Sequence, residues 1–237
     1  MESQEKARKT LGIIGGMGPL ATADLFSKII AHTDAVTDAG HIRILIDNNP
    51  KIPDRTQAVM EGRDEPLSFL VEAARGLIRL GADLLLLPCN TSHAYYERLC
   101  ASVSAPVINM ITETATQTAS MGYKRAGVLA TKGTLYAKLY EKALSAYGIE
   151  AVLPSTGGQD RITSLIYDGI KAGVDSFDTA AIIEDLNEMA GRGAETFILG
   201  CTELPLAFER YQISFPYIDP ALILAKRAIA LAGYGVR

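Results

Sequence analysis

Two cysteines, Cys89 and Cys201, stand 112 positions apart in matched surroundings. The first closes the run Leu84-Leu85-Leu86-Leu87-Pro88-Cys89-Asn90-Thr91, the second the run Thr196-Phe197-Ile198-Leu199-Gly200-Cys201-Thr202-Glu203. In an open parallel sheet, ligands bind beyond the carboxyl ends of the strands, so each thiol is placed where chemistry is done. A thiol at a helix N-terminus feels the positive end of the dipole and free backbone N–H groups. These lower its pKa from roughly 8.5 toward neutrality and let it act as a base. Two thiols facing one cleft suit the removal of a proton from one face of a carbon and its delivery to the other, which is racemisation. The α-hydrogen of an amino acid is a weak acid, so the reaction needs a close base and stabilisation of charge spreading into the carboxylate. Backbone N–H groups after each cysteine, with Asn90, Thr91, Ser92 and Thr202 as side-chain donors, could cradle that carboxylate. Helix capping by the same side chains is compatible with this role. Cys100, in a helical stretch after Arg98 and Leu99, reads as packing.

The elements that must position these residues follow from hydrophobic patterning. Apolar runs alternate with longer stretches of helical period, the pattern of parallel strands joined by crossover helices, so the fold class is α/β. The expected strands are residues 11–15, 42–46, 83–88, 107–109, 125–130, 150–153 and 195–200, with a short one at 217–218. Leu67, Leu70, Val71, Ala74, Leu77 and Ile78 recur at three- and four-residue spacing and make residues 66–80 a helix with a core face. Gly81-Ala82-Asp83, strand, Cys89 and the Pro-led strand at Pro106 are echoed by Gly193-Ala194-Glu195, strand, Cys201 and the Pro-led strand at Pro216. The spacing implies an internal duplication with a cleft between equivalent halves. The expected division is residues 1–114 with 220–237 as one domain and 115–219 as the other, the helix at 221–232 returning to the first.

Composition narrows the partners. The chain has 237 residues, enough for two small cores without metal or disulfide staples. With 48% hydrophobic and 21% charged residues it reads as globular rather than disordered, and its apolar runs, such as Leu84 to Leu87, are too short to span a bilayer. A net charge of −4 without a basic run argues against nucleic acid and for a small ligand. The segment Met1–Thr10 is charged and lacks the apolar stretch of a secretory signal, which favours the cytoplasm. Three widely spaced cysteines make no disulfide framework.

Four segments in order along nearly the whole chain carry a more specific signal: Gly15-Gly16-Met17-Gly18-Pro19-Leu20-Ala21-Thr22, Asn48-Asn49-Pro50-Lys51-Ile52-Pro53-Asp54-Arg55-Thr56, Pro88-Cys89-Asn90-Thr91-Ser92-His93 and Gly200-Cys201-Thr202-Glu203-Leu204-Pro205. Together they resemble the aspartate/glutamate racemase family. The resemblance implies a cofactor-independent, two-base racemase acting on aspartate first and glutamate second. It further implies two similar α/β domains related by a pseudo-two-fold axis, an active site in the cleft between them, and commonly a homodimer. Some relatives keep only one cysteine; this chain has both. By the same resemblance Cys89 and Cys201 are the catalytic pair. Met17, Asp54, Arg55, Thr131 and Lys171 join the four donors above as substrate-binding residues, with Arg55 and Lys171 as cations for a distal carboxylate. Asp54 and Glu203 become acids placed to orient or tune the thiols, and the direction of that tuning is left open, since a close carboxylate raises a thiol's pKa.

Several rival readings share these residues. Gly16-Met17-Gly18-Pro19-Leu20-Ala21 fits G-x-G-x-x-A between a strand and a helix, with Asp47 ending the next strand, as a dinucleotide site would have it; close approach to a small carboxylate explains it equally. His93, four residues after Cys89, reads as a helix-start histidine or as support for a thiolate. No C-x-x-C or H-x-x-x-H spacing supports a metal site from Cys89, His93 and Cys201, and no pyridoxal phosphate lysine motif is recognised. His32 and His41 read as surface residues. The rivals in function are another cysteine isomerase or a decarboxylase acting next to a carboxylate, and a non-catalytic binder of acidic amino acids.

Overall fold

A computed structural model describes residues 8–237; the remainder of the charged Met1–Thr10 segment lies outside them. Two all-parallel sheets are formed. The first contains β1 (Leu11–Gly15), β2 (Ile44–Asn48) and β3 (Leu84–Leu86) in the order β2-β1-β3. The second contains β4 (Arg125–Ala130), β5 (Glu150–Val152), β6 (Thr196–Gly200) and β7 (Tyr217–Ile218) in the order β5-β4-β6-β7. Central strands are apolar along their length because both faces are covered by helices. Along β1 and β3, Leu11, Ile13, Leu84 and Leu86 enter one core while Ile14 and Leu85 enter the core on the opposite face. In the second sheet Leu129, Phe197 and Leu199 point one way, Val128, Ala130 and Ile198 the other.

The duplication is visible at the level of single hydrogen bonds. Gly81 and Gly193 both sit at φ +97°. The acids that follow accept backbone N–H groups at the start of the first strand of each sheet, Thr10 to Asp83 and Arg125 to Glu195, each at 2.8 Å. Leu85 N–H donates to the Pro106 carbonyl as Phe197 N–H donates to that of Pro216. Asn109 caps the helix Met110–Ser120 as Asp219 caps the helix Pro220–Leu231. That last helix buries Leu224, Ala225, Ala228 and Ile229 against Leu11, Leu25 and Ile29 of the first half.

Two strand expectations need correction. The second strand runs over Ile44–Asn48 rather than 42–46. Asp47 and Asn48 have poor intrinsic strand preference, but pairing with Ile14 and Gly15 holds them in the ladder. Residues 107–109 make no strand; a single bridge joins Val107 to Leu85 before Asn109 turns the chain into its helix. The helix expected at 66–80 runs Glu65–Arg79 with Leu70, Ala74 and Leu77 buried. Among the described residues no helix is long and apolar enough to cross a membrane.

Candidate active site

Each sheet reverses its winding direction beside its central strand, and the crevice of an open sheet opens there. The glycine loop follows β1 and Cys89 lies just past β3; Thr131 follows β4 and Cys201 follows β6. The two crevices face each other and enclose one small pocket, too tight for a dinucleotide. Cys89 and Cys201 both line it, each 6% exposed, although their sulfurs emerge from different cores.

Of the residues singled out above, Met17, Asp54, Arg55, Asn90, Thr91, Thr131, Lys171, Thr202 and Glu203 also reach the pocket. Ser92 reaches it only indirectly: it is fully buried and its hydroxyl donates to Met17 Sδ at 3.4 Å. Thr56 and Tyr167 line the pocket without having been singled out. Tyr167 sits four positions before Lys171, one helical turn, and that spacing was the available signal. Its segment, Leu165–Ile170, is a π-helical turn continuing the helix Thr156–Ser164, a local widening common at functional sites.

Glu203 is the electrostatic centre of the pocket. It is 2% exposed and takes donors from both halves of the chain: the Gly18 N–H to Oε1 at 3.0 Å and the Cys201 thiol to Oε2 at 3.0 Å. Lys171 Nζ lies 3.7 Å from Oε1. Burial first, and the Glu203 carboxylate second, push the Cys201 thiol well above its ordinary range. The expected lowering of this thiol is therefore corrected, since desolvation and a neighbouring anion outweigh the start of the short helix Leu204–Arg210. Burial acts to lower the Lys171 ammonium, but the field of Glu203 and the facing thiols raises it above its usual value.

Arg55 occupies the Cys89 side. Its Nη1 donates to the Ile52 and Pro53 carbonyls at 3.0 Å each, while its buried Nε has no partner. Burial would lower the guanidinium, yet Cys89 and Asp54 beside it raise it, so it stays charged. Asp54 caps the helix Arg55–Met60 through the Gln57 N–H at 2.7 Å, and its other oxygen faces the Tyr167 hydroxyl at 3.5 Å. Asn90 accepts from Tyr140 at 2.5 Å, leaving its buried Nδ2 unpaired. Thr91, Thr131 and Thr134 form a hydroxyl triangle with sides of 2.8, 2.9 and 3.1 Å that crosses between the halves. Gly133 permits this approach, because a Cβ there would stand 2.7 Å from the Thr56 Cα. Two buried donors without partners in one pocket call for an acceptor-rich ligand such as a carboxylate.

The rival readings meet specific obstacles. In the glycine loop the Gly16 N–H is spent on Thr22 at 2.9 Å and that of Gly18 on Glu203, so neither is free to cradle a pyrophosphate. Gly16 has φ +91°, and a Cβ on it would lie 2.3 Å from the Asn49 carbonyl carbon. Gly16→Ala should lower stability by about 1–3 kcal/mol or more, read as a shift in the urea midpoint at unchanged slope. His93 is buried; Nε2 accepts the Met110 N–H at 3.1 Å, so Nδ1 carries the proton toward the Cys89 carbonyl at 2.9 Å. Burial lowers its pKa to about 4. With both nitrogens engaged, it neither ligates a metal nor meets the Cys89 sulfur, and among the described residues no metal-ligating cluster occurs. His41 is half-buried rather than exposed, with an unpaired buried Nδ1.

The family described as Asp/Glu/Hydantoin racemase matches residues 14–228. The chain is 30% identical over 226 residues to the broad specificity amino-acid racemase RacX of Bacillus subtilis, covering 93% of this chain and 96% of that one. An aspartate racemase structure from Picrophilus torridus superposes with a TM-score of 0.82 at 30% identity, covering 97% and 96% of the two chains. An aspartate racemase homologue from Pyrococcus horikoshii does so with 0.76 at 28%, covering 94% and 99%.

Proposed function

Because this chain belongs to the Asp/Glu/Hydantoin racemase family and is an amino-acid racemase, an isomerase, we propose that it interconverts the enantiomers of an acidic amino acid, aspartate before glutamate, with Cys89 and Cys201 as paired base and acid. The observation that carries this reading is the single small pocket lined by both sulfurs, two cations and two unpaired donors. The Cys89 thiolate takes the α-proton, the electron pair moves into the substrate carboxylate, and the Cys201 thiol gives its proton to the opposite face of the carbon. Asn90 Nδ2 and the hydroxyls of Thr91 and Thr131 receive the growing carboxylate charge.

The two sulfurs begin from unequal positions. Burial and, after it, Glu203 keep Cys201 protonated, whereas the Arg55 guanidinium stands beside Cys89. The scheme needs one thiolate and one thiol, with the roles exchanged for the opposite enantiomer. Their titration belongs to the pair. Incubating enantiopure aspartate in D2O tests the scheme: α-deuterated product of both hands is expected. Loss of optical rotation without deuterium uptake contradicts it, and neither exchange nor racemisation identifies a binder.

Arg55 and Lys171 are the cations for the distal carboxylate. Arg55→Ala should reduce kcat/KM for aspartate by about 10- to 100-fold, the range of a hydrogen bond to a charged group, and affect alanine far less. An equal loss on both substrates removes the clamp role. The domains implied by this reading are residues 1–114 with 220–237, and 115–219. We further propose a cytoplasmic homodimer that works without a cofactor.

A further inference from the structure

The small pocket does not end at bulk water on every side. Asp54, Thr56 and Tyr167 line it, and the same three residues line a second, open basin on their far side, where Gln57, Met60 and Lys132 are found. They form a partition one side chain thick. Tyr167 supplies its bulk: its hydroxyl reaches Thr56 Oγ1 at 3.3 Å and Asp54 at 3.5 Å, which ties a residue of the second half to two of the first. Lys171 Nζ lies 4.9 Å from the centre of its ring, within cation–π range. The partition therefore stands next to both cations assigned above to the distal carboxylate, Arg55 by sequence and Lys171 by contact. A substrate whose α-carbon lies between the sulfurs and whose distal carboxylate lies at these cations has its side chain pointed at the Tyr167 ring.

We propose that Tyr167 is the residue that sets substrate length, admitting a four-carbon acidic amino acid and turning away longer ones, and that the outer basin becomes side-chain space once the ring is gone. This rests on the acidic amino-acid reading above. The Tyr167 ring acts through volume, and its removal leaves the Asp54 charge in place. A hydrophobic wall discriminates one methylene by roughly 10- to 200-fold, so its removal should be visible in ratios between substrates.

The experiment measures kcat/KM for aspartate, glutamate and 2-aminoadipate on wild type, Tyr167→Phe and Tyr167→Ala. Tyr167→Ala is expected to raise the glutamate-to-aspartate and 2-aminoadipate-to-aspartate ratios by about 10-fold or more. Tyr167→Phe, which keeps the ring and loses only the tie to Thr56 and Asp54, should hold both ratios near wild type while lowering all three rates together. Tyr167→Leu carries the same comparison if the alanine variant does not fold. A common drop for all three substrates in Tyr167→Ala or Tyr167→Leu would overturn the proposal, because a structural tie alone predicts it. So would an equal change of ratio in Tyr167→Phe. Wild-type enzyme inactive on every acidic substrate sinks the parent reading instead, whereas wild type active on aspartate with unmoved ratios in the variants sinks this one alone.

Discussion

Cys89→Ser and Cys201→Ser should each cut interconversion of the enantiomers by about 10³-fold or more while leaving the fold intact. Serine differs from cysteine by one atom, but its hydroxyl is far too weak an acid to serve as an ionised base. Both cysteines are 6% exposed and packed among apolar neighbours, so the exchange leaves little new space and circular dichroism should be unchanged. Racemisation needs both proton transfers in series, and a positioned acid or base contributes typically 10²–10⁴-fold to its step. The informative measurement is hydrogen exchange without racemisation. A protein with one sulfur left can still remove and return a proton on that sulfur's side of the carbon. Cys201→Ser should therefore wash deuterium into one enantiomer only, and Cys89→Ser into the other. Exchange of the same enantiomer by both variants would place the sulfurs on one face and end the two-base scheme. Interconversion at a wild-type rate in either variant would remove that residue from the reaction.

How far the amino-acid sequence anticipated this arrangement depends on how local each feature is. Strand-end cysteines were legible because a buried parallel strand is a continuous apolar run, and the residue after such a run falls at the sheet's carboxyl edge whatever the rest of the chain does. The duplication was legible for the same reason: Gly81-Ala82-Asp83 and Gly193-Ala194-Glu195 perform the same local turn. The second strand was misplaced by two residues because Asp47 and Asn48 are held by their partners in β1, not by their own preference. Tyr167 offers the sequence only its one-turn spacing from Lys171, since its role comes from meeting Thr56, 111 positions away. Widening of the helix at Leu165–Ile170 has no simple pattern of residue types to announce it. The sign of the Cys201 shift was the least accessible. It required knowing that Glu203 turns back onto the sulfur two residues before it and that the site is dry enough for this to matter.

Glu203→Gln tests that sign. Glutamine keeps the length and shape of the side chain, and its amide oxygen can still accept the Gly18 N–H. What changes is the charge beside Cys201, and an amide N–H2 can now face the sulfur. Both changes favour the Cys201 thiolate, so the thiol should lose its proton at lower pH than in wild type. In the direction where Cys201 donates a proton, the alkaline limb of the kcat/KM profile should move to lower pH, because the acid form is exhausted sooner. In the opposite direction Cys201 acts as base; the thiolate is then more populated but less basic, and the limb that reports its deprotonation should also move to lower pH. Lys171 loses its carboxylate partner in the same variant, which leaves its charge to the substrate's distal carboxylate. The readout is therefore a displacement of both limbs to lower pH by about 1–3 units, the effect of one nearby charge, with the direction that needs the Cys201 thiolate gaining most near neutral pH. A control in Lys171→Met should move the thiol the opposite way, since the ammonium lowers it, and weaken substrate binding as well. If Glu203→Gln lowers both directions equally and leaves both profiles at their wild-type pH, the carboxylate is a structural clasp between the halves, and the raised Cys201 thiol owes nothing to its charge.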